Sequence, residues 1–207
     1  CKELTEVYLP ESLTFMDSRC FTGCYIAKNN FVNKSGYTSF YGLEIADEEI
    51  DKVLFLNDVV KYSRPSNTHL SIYENTAGIE WWECPTNLET ITVEDANTKY
   101  DSRENCNAII HTESNTLFLG CAKTVIPQTV TKIGKGAFCE CINLKEIKIP
   151  NGIIEIEANA FKECSILTDI TFPSSLLKIG NSSFEGCSSL KNIFIPSSVV
   201  EIEQPFI

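Results

Sequence analysis

The sequence predicts a β-rich α/β solenoid, one stack of 23-residue units with a parallel sheet along one face and short helical turns opposite. Three observations carry that prediction. Prolines at 127, 150, 173 and 196 recur every 23 residues, and a fixed period of that length marks stacked units. Residue type is also fixed by column. The third residue after each proline is Val130, Ile153, Leu176 or Val199, the sixth Ile133, Ile156, Ile179 or Ile202, and the eleventh Phe138, Phe161 or Phe184. Cys141, Cys164 and Cys187 share a column, as do Leu144, Leu167 and Leu190, and Ile147, Ile170 and Ile193. A unit this small cannot enclose its own apolar face, so successive units must stack and turn each column into a buried ladder.

Within Leu144-Lys145-Glu146-Ile147-Lys148-Ile149-Pro150 apolar and polar residues alternate, the period of a half-buried strand, and the proline ends it. A second extended piece is expected around residues 130–133, and Gly134 to Phe138 turns the chain back. Only about ten residues remain before the next strand, room for one or two helical turns. Strands stacked in this way advance roughly 4.8 Å per unit.

The same register opens the chain, where Pro10 follows Cys1, Leu4, Val7 and Leu9 and precedes Leu13, Met16, Cys20, Phe21 and Cys24. Cys1 thus matches the cysteine column, the expectation for a piece of a longer array that begins inside a repeat. Residues 25–83 are degenerate. There, residues 53–56 and 59–62 flank Asn57-Asp58 and read as strand, turn, strand, while Asn29 to Ser39 and the acidic run Asp47, Glu48, Glu49 and Asp51 read as loops. Leu88 to Val93 restores the strand pattern, with Glu94 in the proline position. Residues 108–110 and 116–119 flank a polar tip and read as a second strand-turn-strand excursion. The whole, residues 1–207, is expected to be one solenoid.

The unit Ile126-Pro127, Val130, Ile133-Gly134, Ala137-Phe138, Cys141, Leu144, Ile147 resembles the leucine-rich repeat of BspA-like surface proteins. Residues 100–127 resemble a longer variant of that repeat, and the resemblance is strong over residues 1–24 and 84–207. It implies a leucine-rich-repeat solenoid of a bacterial cell-surface or secreted protein. It further implies a non-enzymatic module for adhesion to a protein ligand, with host extracellular-matrix proteins or other microbes as the expected partners. The rival expectation is a scaffold that only spaces another domain from the cell.

Charge and motifs agree with a binding rather than a catalytic part. Seventeen basic and 28 acidic residues give a net charge of −11 and a pI near 4.7, which lacks the basic footprint that nucleic acid or anionic membrane requires. No apolar run approaches the roughly 20 residues of a membrane helix, so neither nucleic acid nor membrane insertion is expected, and the chain is expected to be a monomer. No cofactor, metal or catalytic residue is expected. GxSxG, GxxxxGK[ST] and HExxH are absent, Asp95-Ala96-Asn97 fails as a calcium loop, and a thiol nucleophile would need His69 or His111 to meet a cysteine, such as His69 beside Cys84 or Cys24. The cysteine column reads as core, with Cys106 and Cys121 the better disulfide candidate.

The expected recognition surface is the outward side of the LxxIxI strands, the extended face that solenoids use. Its column two before proline contains Tyr8, Thr92, Lys148, Thr171 and Phe194, and neighbouring columns supply Glu6, Lys145, Glu146, Asp169, Lys191 and Asn192. Trp81-Trp82 joins them, since in a strand one ring points inward and the next outward. The column Lys132, Glu155, Lys178, Glu201 alternates in sign and reads as a stacking ladder in which each lysine sits between carboxylates.

Overall fold

The computed structural model describes residues 87–206 throughout, and before them Thr76 and eight strands. These are β1 (Val7–Leu9), β2 (Cys24–Ala27), β3 (Phe31–Asn33), β4 (Leu43–Ala46), β5 (Lys52–Val53), β6 (Val59–Tyr62), β7 (His69–Ile72) and β8 (Gly78–Trp81). There follow β9 (Thr90–Val93), β10 (Tyr100–Asp101), β11 (Ala108–His111), β12 (Thr116–Gly120), β13 (Lys132–Ile133), β14 (Glu146–Lys148), β15 (Glu155–Ile156), β16 (Asp169–Thr171), β17 (Lys178–Ile179) and β18 (Glu201–Ile202).

The 23-residue period appears directly in the register. Lys132 pairs with Glu155, Glu155 with Lys178 and Lys178 with Glu201, each one unit apart and parallel. The longest ladder in the stack is therefore this short second strand, ordered β10-β11-β12-β13-β15-β17-β18. After Pro127 the LxxIxI strand, expected to carry the sheet, forms only the pair β14 and β16 among the described residues, while its earlier copies β1 and β9 pair in parallel with β3 and β7. Pro150 and Pro173 lack the N–H that would extend each strand.

The expected helical turns are absent, and no α-helix occurs among the described residues. The third side of each unit is instead a string of tight turns broken at two fixed columns by left-handed residues. Gly136, Asn159 and Ser182 occupy the first column and Glu140, Glu163 and Gly186 the second, with φ between 51° and 74°, and such residues do not propagate a right-handed helix. Alternate amides divide their work. Those of Ala137, Cys139 and Cys141 close turns onto residues three back, while those of Gly136, Phe138 and Glu140 donate to the carbonyls of Ala158, Ala160 and Lys162 in the next unit at 2.7–3.0 Å. A helix would have kept those N–H groups for itself.

Inside, the columns are ladders. The Phe138 and Phe161 rings stack with centroids 5.1 Å apart and planes within 2°, and Phe161 and Phe184 repeat this at 5.4 Å and 8°. Cys164 donates its thiol to the carbonyl of Phe138, and Cys187 to that of Phe161, both at 3.1 Å. The cysteine column is thus core, as its residue type suggested, and it also satisfies a buried carbonyl of the preceding unit.

Ion pairing is more selective than alternation alone implies. Lys132 pairs with Glu155 at 2.7 Å, and Lys178 with Glu201 at 2.9 Å and Glu203 at 3.1 Å, so each lysine reaches forward rather than bridging two units. A second column alternates beside it: Gly134, Glu157, Gly180, Glu203. A Cβ on Gly180 would lie 2.7 Å from the Ala158 amide nitrogen, so this position admits no side chain. Glu157 and Glu203 instead accept the backbone N–H of Lys135 and Asn181 in the preceding unit.

The degenerate N-terminal half is also laddered. Strands β2 and β4, β5 and β7, β7 and β9, and β6 and β8 pair in parallel. Of the hairpin expected at residues 53–62, Val53 in β5 pairs with β7 and the arm 59–62 is β6, paired with β8, while residues 54–58 lie outside the described residues. Part of the expected loop at 29–39 is strand β3, paired with β1. The hairpin of β11 and β12 is present and antiparallel. The acidic run at 47–51 lies outside the described residues, apart from its neighbour Lys52 in β5.

Candidate protein-binding surface

Strands β14 and β16 bury Ile147 and Ile170 and turn Glu146, Lys148, Asp169 and Thr171 outward. The outward four stand in register, Glu146 opposite Asp169 and Lys148 opposite Thr171. Beside them the segment 124–128 forms the far wall of a groove of about 530 Å³, to which Val125, Ile126 and Gln128 contribute. Four residues expected at the surface, Glu146, Lys148, Asp169 and Thr171, are thus brought together. Lys145 and Lys191 are exposed in the adjoining column. Phe194 is 84% exposed, although its copy of the LxxIxI segment forms no strand.

One member of the surface escaped the sequence reading. Val125 precedes Pro127 by two, so it belongs to the column of Lys148, Thr171 and Phe194, and it is 73% exposed. The proline spacing already contained that signal. Over the four consecutive units that end at Pro127, Pro150, Pro173 and Pro196 the row runs Val125, Lys148, Thr171, Phe194, with an apolar side chain at each end.

The charges of this face differ from those of four lysines elsewhere. Lys123, Lys132, Lys162 and Lys178 are each ion-paired, to Glu89, Glu155, Glu185, and Glu201 with Glu203. Their carboxylate partners hold Lys132 and Lys178 above the ordinary lysine range. Lys145, Glu146, Lys148, Asp169 and Lys191 form no ion pair among the described residues.

Thr92 stands apart from this groove. Its hydroxyl lies 3.0 Å from that of Ser71, and it lines a separate polar cleft of about 680 Å³ with Glu94, Asp101 and Arg103. Asp101 chelates the Arg103 guanidinium, which also reaches Asn115. Tyr8 lies in β1 opposite Val32, and Trp81 ends β8 opposite Tyr62; their side chains, with Glu6 and Trp82, lie outside the described residues.

Cys106 and Cys121, the disulfide candidate, are free thiols. Continuing the register from Ala108 and Gly120 puts Asn107, not Cys106, across from Cys121. The Asn107 amide donates to Cys121 at 3.2 Å, while Cys106 contacts Ser102 and Ala108 in a different core. His111 accepts from or donates to Ser114 at 2.9 Å in an exposed turn. His69 begins β7, opposite Thr90, and Cys84 lies outside the described residues. Among the described residues no group of three or more His, Cys, Asp or Glu side chains is placed to hold a metal, and no helix is long and apolar enough to cross a membrane.

The model of the BspA-type leucine-rich repeat region matches residues 1–109 and 114–206 in six copies. The chain belongs to this family. The match includes residues 25–83, so this BspA-type chain carries its repeats through the stretch where the sequence pattern is weakest. Among solved structures it is similar to a leucine-rich repeat protein from Eubacterium ventriosum, with 18% identity, a TM-score of 0.61, and coverage of 86% of this chain and 59% of that one. It is similar to the pneumococcal vaccine antigen PcpA, with 18% identity, a TM-score of 0.62, and coverage of 97% and 47%. A leucine-rich cell surface protein from Faecalibacterium prausnitzii gives 19%, 0.58, 100% and 79%. The chain spans 59% and 47% of the lengths of the first two. These likenesses establish the fold. No curated protein matches the sequence.

Proposed function

We propose that this chain is a non-enzymatic protein-binding module of a bacterial cell-surface or secreted protein, acting in adhesion through the outward face of β14 and β16. The observation that carries the reading is the composition of that face. Its charges are left unpaired while Lys123, Lys132, Lys162 and Lys178 on other sides of the stack are neutralised within the fold, and exposed Val125 and Phe194 end its central row. Exposed aromatic side chains are enriched among the anchors of protein interfaces. A surface location is supported by the family, and by two structural neighbours described as a cell surface protein and a vaccine antigen.

The test is an equilibrium titration against immobilised fibronectin and fibrinogen, with a Val125→Ala/Phe194→Ala variant alongside. Saturable binding that the variant weakens supports the reading. Binding that survives moves the site elsewhere, with Tyr8 and Trp81-Trp82 next to be changed. Absence of binding to both proteins favours the spacer role.

A further inference from the structure

The fold does not require the pair Glu146 and Asp169. Parallel register sets one directly opposite the other on the exposed side of β14 and β16, and like charges so placed destabilise a ladder. The neighbouring ladder of the same chain does the reverse, alternating Lys132, Glu155, Lys178 and Glu201 at every step. Glu146 and Asp169 make no ion pair with Lys145, Lys148 or Lys191 beside them, and a like-charged pair left open in this way is suited to a cationic group from outside.

We infer that this face receives an extended basic segment of a partner protein, laid along the stack across the strands. Its arginine or lysine side chain sits between Glu146 and Asp169, and apolar side chains rest on Val125 and Phe194. The inference deepens the binding role proposed above and rests on it. The spacing supports it. Val125 and Phe194 are three units apart in one row, hence about 14 Å at roughly 4.8 Å per unit, which an extended chain covers in about four residues. Alternate side chains of such a chain share one face, so its first, third and fifth residues meet the sheet. The third falls midway, level with the gap between the two carboxylates. Lys148 and Thr171, the inner members of the row, present donors to the carbonyls of the segment. Lys145, Lys148 and Lys191 border the carboxylate pair and confine the cationic group to it. The net charge of −11 favours the approach of basic partners.

The probe is the fluorescein-labelled peptide Ser-Gly-Leu-Thr-Arg-Thr-Leu-Gly-Ser, titrated by anisotropy beside a counterpart with glutamate in place of arginine. The arginine peptide is expected to bind saturably and about tenfold more tightly, since two exposed charge contacts of up to about 1 kcal/mol each amount to that ratio. In Glu146→Gln/Asp169→Asn the preference disappears, while the thermal midpoint rises by about 1–2 °C as the repulsion is relieved. That rise separates lost recognition from lost folding. Equal binding of the two peptides, tighter binding of the glutamate peptide, binding of neither, or a preference that survives the double substitution overturns the inference. The matrix-protein titration keeps the two proposals apart. If fibronectin or fibrinogen binding is weakened by Val125→Ala/Phe194→Ala but not by Glu146→Gln/Asp169→Asn, the surface stands and the basic occupant falls. If neither variant weakens it, the surface itself falls.

Discussion

Gly120 shows how tightly single residues are constrained in this stack. A Cβ there would lie 2.2 Å from Cε1 of Phe138, whose ring begins the phenylalanine ladder. Gly120→Ala should therefore destabilise the protein by about 1–3 kcal/mol, the usual cost of overfilling a packed core, read as a fall in the urea midpoint. The thiols make a second prediction. Burial pushes Cys141 up to about 12, and the neighbouring Cys187 thiol together with burial holds Cys164 above its ordinary value. A thiol that ionises more readily in the unfolded chain favours unfolding once the pH passes its ordinary value. Stability should thus be intact below about pH 9 and fall from there toward about pH 12. Urea midpoints across that range should decline less steeply in Cys141→Ala/Cys164→Ala. An equal decline would place the alkaline sensitivity elsewhere. The cysteine column was legible as core because a small residue type repeats at one position. Its hydrogen bonds to Phe138 and Phe161 were not, because each spans 26 residues and depends on how neighbouring units stack.

At the scale of the element, strong periodicity made the strands legible and mixed residue types hid the turns. Gly136 and Gly186 suggest left-handed positions, but the same two columns also hold Ser182, Glu140 and Glu163, so short helical turns remained the natural expectation. The proposed binding face was legible in part for a related reason. Its alternation predicts Lys148, Asp169 and Thr171 as outward and the proline spacing adds Val125, whereas the part of Thr124 and Gln128 in the groove wall follows from no strand pattern and is visible only once the chain is folded. The aromatic column also predicts a hierarchy of costs. Phe161 is fully buried between Phe138 and Phe184, whereas Phe206 stacks on Phe184 with half its surface exposed. Phe161→Ala should cost about 3–5 kcal/mol, and Phe206→Ala clearly less. Similar losses for the two, measured by urea denaturation, would mean that the ladder is not what holds successive units together.

For the molecule as a whole the decisive feature is that its described interior is two cores rather than one. Leu70, Ile72, Ile79, Leu88, Ile91 and Tyr100 form the first, and the columns from Val130 to Cys187 form the second. The hairpin of β11 and β12 is the seam. A register shift between Ile109 and Ile110 pairs Ile109 with Leu119 and Ile110 with Leu117. The first of these pairs packs into one core and the second into the other. A bulge re-aims side chains in this way because one extra residue on one strand changes which face its neighbours present. Solenoid stability is a sum over units and their nearest-neighbour contacts, so damage at the seam should be directional. Ile109→Ala should lower amide protection mainly in β7 and β9, and Ile110→Ala mainly in β13, β15 and β17. Each should cost about 2–5 kcal/mol, since both side chains are fully buried. Hydrogen exchange followed by mass spectrometry checks this directly. Two adjacent substitutions that loosen opposite sides of the hairpin would show that it transmits stability between two separable stacks, whereas identical losses on both sides would show that the stacks unfold as one.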